Sequence, residues 1–172
     1  MLVRSHASGH ARLVGGVVFV AGLWGALIPF VGPSFGYGMG SAPAWDWSES
    51  HLTLHLLPGI AAVLGGTLLM LGRRASQLLG SVLAVAGGAW FVIAPTLHPL
   101  WADPGMGGMS MGESALSSAL SGLGYHYGTG ALITIAAAYA LGALGSAREV
   151  PSGVGSQDRQ TSRDASPVRV DA

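Results

Sequence analysis

One pattern occurs twice in the chain, as Gly22-Leu23-Trp24-Gly25-Ala26-Leu27-Ile28-Pro29 and as Gly88-Ala89-Trp90-Phe91-Val92-Ile93-Ala94-Pro95. Glycine, tryptophan and proline fall at matching positions, and Pro33 and Pro99 continue the match at the same offset. After a somewhat longer loop in the second half, His55-x-x-x-Gly59 corresponds to His126-x-x-x-Gly130. A shared bias toward alanine and glycine does not by itself place tryptophan, two prolines and histidine in the same order. The order therefore predicts that one helical hairpin has been duplicated.

Four uncharged apolar stretches run through residues 13–31, 51–71, 75–97 and 125–144. Each is close to the ~20 residues that a helix needs to cross the hydrocarbon core of a bilayer. Their uniformly apolar faces suit lipid and not an amphipathic soluble bundle. We therefore expect an all-α membrane protein with four transmembrane helices, arranged as a duplicated two-helix hairpin. Because a two-span unit keeps its orientation when repeated, the halves should form a parallel pseudo-twofold repeat about an axis along the membrane normal.

The composition supports the same class of protein. The 172 residues are 50% hydrophobic and only 9% charged, against roughly 25% charged residues in an ordinary soluble domain. The absence of cysteine excludes disulfides, thiolate metal sites and thiol catalysis. The formal net charge is zero, so no basic field recruits nucleic acid. The bilayer is the expected environment.

The distribution of arginine predicts the orientation. Arginines lie before the first stretch, between the second and third, and after the fourth, at Arg4, Arg12, Arg73, Arg74 and Arg148. The other two connections carry acidic residues and no arginine, namely Asp46, Glu49, Asp103 and Glu113. The positive-inside rule then places both termini in the cytoplasm of a bacterial cell and both long loops outside its plasma (inner) membrane. The competing interpretation of the first stretch, a signal peptide cleaved after Ala42-Pro43-Ala44, requires a cleavage site well beyond the apolar run.

These expectations divide the chain into four parts: a cytoplasmic arm at 1–12, a first transmembrane hairpin at 13–71, a second at 72–145 and a cytoplasmic tail at 146–172. The tail is rich in serine, glycine, arginine and aspartate and has almost no apolar periodicity. Such a composition does not build a core, so we expect disorder there.

The repeated unit resembles the SPW-repeat family of small bacterial four-span membrane proteins, whose two-helix unit carries Ser-Pro-Trp in its first helix. The corresponding triplets here are Ile28-Pro29-Phe30 and Ala94-Pro95-Thr96, so that only the proline of each is retained. The resemblance covers all four stretches and implies a four-span fold. It brings no established activity.

Small residues at four-residue spacing predict how the helices pack. Lipid tails are as apolar as leucine, so association depends on close backbone approach. Such ridges occur as Ala21 and Gly25, Ala62 and Gly66, Gly80, Ala84 and Gly88, and Thr134, Ala138 and Gly142. They predict a compact bundle, with a further ridge left for a homo-oligomer or another membrane protein.

Four histidines fall at the predicted outer face. Asp46 and Glu49 are placed to cap the second helix, which would put His51 and His55 on one face, one turn apart. His98 follows Pro95 at the end of the third stretch, and His126 begins the fourth. Two imidazoles at this spacing, with a third from the repeat-related helix, can hold a metal ion.

Methionines in the outer loops would suit the same ion. Met106, Met109 and Met111 lie in a short glycine-rich segment, and Met39 lies in the first outer loop. Thioethers are soft ligands that favour Cu(I). His55 and His126 could instead be the axial ligands of a haem. The plainer alternative is that interfacial histidines bond to water, headgroups or loop carbonyls.

The sequence favours a non-enzymatic role. No Asp, Glu, Lys or Arg lies inside the four stretches, although proton relays and ion pathways usually need such residues. No Gly-x-Ser-x-Gly elbow, His-Glu-x-x-His motif or phosphate loop is present. The leading hypothesis is a structural or protein-interaction role, with no resident cofactor. The alternatives are an extracytoplasmic copper-binding or copper-delivery module and a haem-b electron carrier.

Overall fold

The structure, a computed structural model, describes residues 2–37, 44–101 and 115–146. The secondary structure within these ranges is helical, joined by short turns. Several sequence predictions lie outside the described residues: the four loop methionines, the proposed cleavage site and nearly all of the C-terminal tail.

Four long helices make up the fold. Helix α1 spans Leu2–Val31 and is followed by a 3-10 turn at Gly32–Phe35. Helix α2 starts as α-helix at Glu49–His51, passes through a π-helical segment at Leu52–Leu56 and ends as α-helix at Leu57–Met70. Helix α3 spans Arg74–Leu97, with a 3-10 turn at His98–Leu100. Helix α4 runs through Ala115–Gly122, a π-helical segment at Leu123–Tyr127 and Gly128–Ser146.

All four helices are long and apolar enough to cross a membrane. Large apolar side chains project from them, including Leu13, 73% exposed, and Ile135, 70% exposed. Outward apolar side chains at this density suit lipid as the surrounding solvent. The fold is that of an all-helical, multi-pass membrane protein. Helices α1 and α4 depart from the predicted boundaries, since α1 extends through the expected N-terminal arm to Leu2 and α4 begins at Ala115, well before residue 125.

The helices form a ring in which each packs on its chain neighbours and α4 returns to α1. Helices α1 and α3 end where α2 and α4 begin, and we call this the histidine end. The opposite end, where α2 and α3 join through Gly72, is the arginine end. Phe91 lies fully buried in the core, with its ring tip against Gly25 across the bundle.

Glycines set the close contacts between neighbouring helices. A Cβ added to Gly66 of α2 would lie 2.6 Å from the backbone nitrogen of Phe19 in α1. Gly65 and Gly80 bring α2 and α3 together in the same way, because an added Cβ on either would lie 2.6–2.7 Å from the other's carbonyl oxygen. Such distances leave no room for a side chain, so the backbones approach as closely as small residues allow.

The small-residue ridges agree with the packing in three helices and only in part in the fourth. Thr134 packs against Gly88, but Ala138 and Gly142 are exposed, and a Cβ added to Gly142 would meet nothing within 4 Å. The buried face of α4 instead follows Gly130, Ile133, Ala137 and Ala140.

The contact between α1 and α4 is looser and leaves an open groove of about 850 Å³. The groove is lined mainly by apolar residues of both helices, among them Leu13, Val17, Trp24 and Leu132. Helix α1 has Val14 and Val18 where the sequence match places Gly80 and Ala84 of α3. These valines are larger than the glycine and alanine that close the contact between α2 and α3.

The expected cap of α2 is wrong by two residues. Ser48, and not Asp46, is the N-cap, because it has the extended backbone of a cap and its hydroxyl accepts from the His51 N–H at 3.3 Å. The sequence also predicts that α1 and α3 end near a proline, because the proline ring removes an amide donor and favours the end of a helix, and this agrees better with the structure. Each helix ends two residues after its proline, Pro29 or Pro95.

Candidate functional site: a buried histidine row

Four histidines come together at the histidine end. The rings of His55 and His126 are in contact at the centre of the bundle, with centroids 4.4 Å apart and planes inclined by 36°. His51 follows on one side, with its centroid 6.2 Å from that of His55. His98 is close enough to His126 to interact with it electrostatically. We call this arrangement, in the order His51, His55, His126 and His98, the histidine row.

His55 and His126 each lie in a π-helical segment. The Leu57 N–H bonds to the Leu52 carbonyl, and the Gly128 N–H bonds to the Leu123 carbonyl, five residues back in both cases. Single turns of this kind widen the helix and are frequent at functional sites. In α2 the cause is evident, because Pro58 has no N–H to continue the α-helical pattern. Helix α4 has Thr129 at the matching position and forms its wide turn without proline.

The two central histidines are deeply buried and poorly satisfied. His55 is 4% exposed and His126 is 6% exposed. The Nδ1 atom of each has no hydrogen-bond partner. The His55 ring interacts with the backbone of Gly25, whose carbonyl lost its α-helical donor because Pro29 lies four residues later. Two unpartnered ring nitrogens therefore lie in the core of the bundle.

The outer members of the row have polar partners. His51 Nδ1 lies 2.8 Å from the backbone oxygen of Asp46. His98 Nε2 lies 3.5 Å from a carboxylate oxygen of Glu49 without hydrogen-bond geometry. Both partners belong to the start of α2, and the Glu49 side chain is 59% exposed. The row thus reaches the surface of the bundle at both of its ends.

Aromatic side chains enclose the pair. The rings of Phe91 and Tyr125 meet the edge of His55 with centroids 6.2 and 5.6 Å away. The Tyr125 hydroxyl donates to the carbonyl of Tyr37 at 2.8 Å, which ties the start of α4 to the segment after α1. Phe30 covers His51 in an edge-on contact at 5.6 Å. These contacts exclude water from the centre of the row.

Trp24 and Trp90 connect the neighbouring helices to the two π-helical segments. Trp24 Nε1 donates to the carbonyl of Gly124 at 3.0 Å, and Trp90 Nε1 donates to the carbonyl of Thr53 at 2.9 Å. Both acceptors lie two residues before a central histidine. The sequence predicts that these tryptophans fill gaps between helices, but both are partly exposed, at 46% and 40%. Each tryptophan therefore makes a polar contact with the neighbouring helix through its indole N–H.

Sequence reasoning placed all four histidines at one end and missed the residues around them. It assigned no role at the site to Phe91, Tyr125 or the carbonyl of Gly25. The signal for the last was present, because a proline inside a helix always leaves the carbonyl four residues earlier without its donor.

At its centre the row offers two open ligands and not a complete metal site; a third buried nitrogen without a hydrogen bond, Nε2 of His98, lies beside Glu49. In the ranges that the structure describes, no group of three or more histidine and carboxylate side chains is placed to hold a metal ion. The open nitrogens belong to His55 and His126. In a haem with two histidine ligands the porphyrin plane lies between the two axial rings, so those rings do not touch each other. Rings centred 4.4 Å apart leave no space for a porphyrin, so the haem alternative does not fit this arrangement.

Comparison of the chain with protein-family models, with curated proteins and with solved structures gives no match. The resemblance to SPW-repeat proteins therefore stays a prediction from the two retained prolines.

Proposed function

We propose that the protein consists of two copies of one helical hairpin and that its histidine end faces the outside of a bacterial plasma membrane. Buried positions support the duplication. When α1 and α3 are matched on their tryptophans, seven matching positions are buried in both helices. In α1 these positions are Ala11, Gly15, Val18, Ala21, Gly22, Gly25 and Ile28. The matching residues of α3 are, in the same order, Gln77, Ser81, Ala84, Gly87, Gly88, Phe91 and Ala94. Matching α2 to α4 on the central histidines pairs Leu54, His55, Pro58, Gly59, Ala62, Gly66 and Leu69 with Tyr125, His126, Thr129, Gly130, Ile133, Ala137 and Ala140, all of them buried.

The proposed orientation rests on charge. Arg12, Arg73 and Arg74 lie at the arginine end, and Arg74 donates to the Leu144 carbonyl at the last turn of α4 at 2.6 Å. Acidic residues lie at the other end, with Glu49 beside His98. The positive-inside rule assigns the arginine end to the cytoplasm.

The proposed activity is the binding of one Cu(I) ion by His55 and His126. The observation that carries it is the pair of buried Nδ1 atoms without partners, in rings that touch. Buried polar atoms without partners are rare in native proteins and mark places where an ion or another ligand completes the site. Packing alone does not account for two of them side by side.

Charge and ligand type favour Cu(I) among the metals. Two neutral imidazoles without a buried carboxylate leave the full charge of the ion uncompensated, and burying a single charge is less unfavourable than burying two. Imidazole suits copper, and thioethers are soft ligands for its reduced form. Met106, Met109 and Met111 belong to the loop that joins the histidine ends of α3 and α4, so they are the proposed additional ligands.

Titration of the purified protein in detergent with Cu(I), against a chromogenic Cu(I) chelator, tests this proposal. We expect one tightly bound ion per chain. Replacing both ligands, as in His55→Leu with His126→Leu, should weaken binding by more than about a hundredfold, because removing even an outer partner costs 10- to 100-fold. His10→Asn, at the arginine end, is the matched control and should bind like the wild type. A protein that competes for no Cu(I), or a double variant that binds normally, would overturn the copper proposal.

A structural or protein-interaction role is the second candidate. Its support is the exposed small-residue surface of α4, where Ala138 and Gly142 face outward and Gly142 has open space around it. Small residues on a lipid-facing surface allow another helix to approach closely. Crosslinking of the protein in native membranes, with and without Gly142→Leu, tests this role, since the larger side chain should abolish the crosslinked species.

A further inference from the structure

The wide turns that carry the central histidines leave one carbonyl in each without a regular donor. In α2 this is the carbonyl of Thr53. Its α-helical donor would be the Leu57 N–H, but that group bonds to Leu52 instead. The next N–H along the helix would belong to residue 58, which is proline. The backbone of α2 therefore provides no N–H donor for the Thr53 carbonyl, in either the α-helical or the π-helical pattern.

Helix α4 loses the same α-helical bond, although its residue 129 is threonine and keeps an N–H. The Gly128 N–H bonds to Leu123, so the carbonyl of Gly124 loses its α-helical donor. The hydroxyl of Thr129, at the position that matches Pro58, donates to the Gly124 carbonyl at 2.7 Å. A side-chain donor thus serves this carbonyl from within α4.

Each of these carbonyls also accepts from a tryptophan of another helix. Trp90 serves Thr53 and Trp24 serves Gly124, at 2.9 and 3.0 Å. Unsatisfied carbonyls in a membrane are unfavourable, so an indole N–H that satisfies one stabilises the wide turn over a regular α-helix. The wide turn in turn fixes the rotation of His55 or His126 toward the bundle centre.

The geometry points to Trp24 and Trp90 as positioning residues of the histidine pair. They act crosswise, in that each tryptophan fixes the position of the histidine in a neighbouring helix: Trp90 of α3 positions His55 of α2, and Trp24 of α1 positions His126 of α4. This inference rests on the proposed function only for the ion that the pair binds. The placement of the two rings is a property of the metal-free protein and is measured separately.

Nuclear magnetic resonance of histidine rings tests the crosswise assignment. Protein labelled with ¹⁵N and ¹³C at histidine is measured metal-free in detergent, and the ring signals are assigned by single histidine substitutions. Phenylalanine keeps the aromatic ring and removes the N–H. We expect Trp90→Phe to shift the signals of His55, and Trp24→Phe to shift those of His126. Trp45→Phe, an exposed tryptophan outside the row, is the matched control and should shift neither.

The size of the two effects should differ. Thr53 has Trp90 as its side-chain donor, whereas Gly124 keeps Thr129 when Trp24 is replaced. Trp90→Phe should therefore move His55 further than Trp24→Phe moves His126, and adding Thr129→Val to Trp24→Phe should enlarge the second effect. Pro58→Ala, which restores an N–H at residue 58, is an independent way to narrow the turn in α2 and should shift the signals of His55 more than those of His126.

Cu(I) affinity separates this inference from the proposed function. If the pair binds Cu(I), Trp24→Phe and Trp90→Phe should each weaken binding by roughly tenfold, the equivalent of one hydrogen bond. A wild-type protein that binds no Cu(I) but shows the crosswise shifts would refute the copper proposal and support the positioning role. Shifts that fall on both histidines equally, on the wrong one or on neither would overturn the positioning role whatever the copper result.

Discussion

His55 and His126 are the residues at which the bundle departs most from an apolar core. Each carries a buried ring nitrogen without a partner. Leaving a buried polar group unsatisfied is unfavourable by about 1–3 kcal/mol. An apolar side chain of similar size at either position would avoid this. This unfavourable burial is the basis of the proposed role of the pair in binding.

Stability measurements on the metal-free protein check this interpretation. The double substitution His55→Leu and His126→Leu removes both unsatisfied nitrogens and keeps most of the buried volume. We expect the free energy of unfolding to stay unchanged or to rise by up to about 2 kcal/mol, as measured by thermal or denaturant unfolding in detergent. A clear loss of stability would mean that the pair is a structural contact.

At the residue scale, sequence reasoning could predict how deep in the membrane each histidine lies. It could not predict the rotation of each histidine, that is, the direction in which its side chain points around the helix axis. Depth follows from topology, since His51, His98 and His126 each lie at the same end of an apolar stretch. Rotation depends on the π-helical segments, because one extra residue in a turn rotates the rest of a helix by about 100°. Those turns depend on contacts with α1 and α3 that periodicity does not contain.

At the scale of helices, glycine decides which surfaces touch. Gly66 and Gly142 are a natural pair for comparison, because both lie within membrane-spanning helices. Gly66 lies against the backbone of Phe19, and Gly142 faces open space. The small-residue spacing identified both as packing positions, but only the fold separates the buried one from the exposed one.

Alanine at each of these glycines should therefore act differently. Gly66→Ala forces a Cβ to within 2.6 Å of the α1 backbone, so the helices must separate, and we expect a loss of about 1–3 kcal/mol in unfolding free energy. Gly142→Ala should leave stability within about 0.5 kcal/mol of the wild type. Equal effects at the two positions, in unfolding measured in detergent, would contradict the packing of α1 on α2.

The sequence predicted the C-terminal ends of α1 and α3 better than it predicted the N-cap of α2. Ser48 and Asp46 are both good N-cap residues, and sequence alone does not reveal which one has the extended backbone that a cap needs. Proline is less ambiguous, since its missing N–H acts in any fold. The positions of Pro29 and Pro95 accordingly predicted the ends of α1 and α3 to within two residues.

For the whole molecule, four apolar stretches in the sequence were sufficient to predict four membrane-spanning helices. The open groove between α1 and α4 was not predicted, because apolar composition does not determine the distance between two helices. Function at this scale depends on which side of the membrane the histidine end faces.

Labelling of single cysteines tests that orientation, and the chain is well suited to it because it contains no cysteine. Ser34→Cys lies in the turn after α1 at the histidine end, and Ala75→Cys lies at the start of α3 at the arginine end; both positions are exposed. In intact bacterial cells, a membrane-impermeant maleimide should label the first and reach the second only after permeabilisation. The reverse pattern would place the histidine end in the cytoplasm.

X-ray absorption at the copper K-edge of the Cu(I)-loaded protein examines the binding site itself. The spectrum should contain the scattering of two imidazole rings bound through nitrogen at about 2 Å. This scattering should be absent when His55 and His126 are both leucine. A wild-type spectrum without imidazole scattering, or one that the double substitution leaves unchanged, would contradict the assignment of His55 and His126 as the copper ligands.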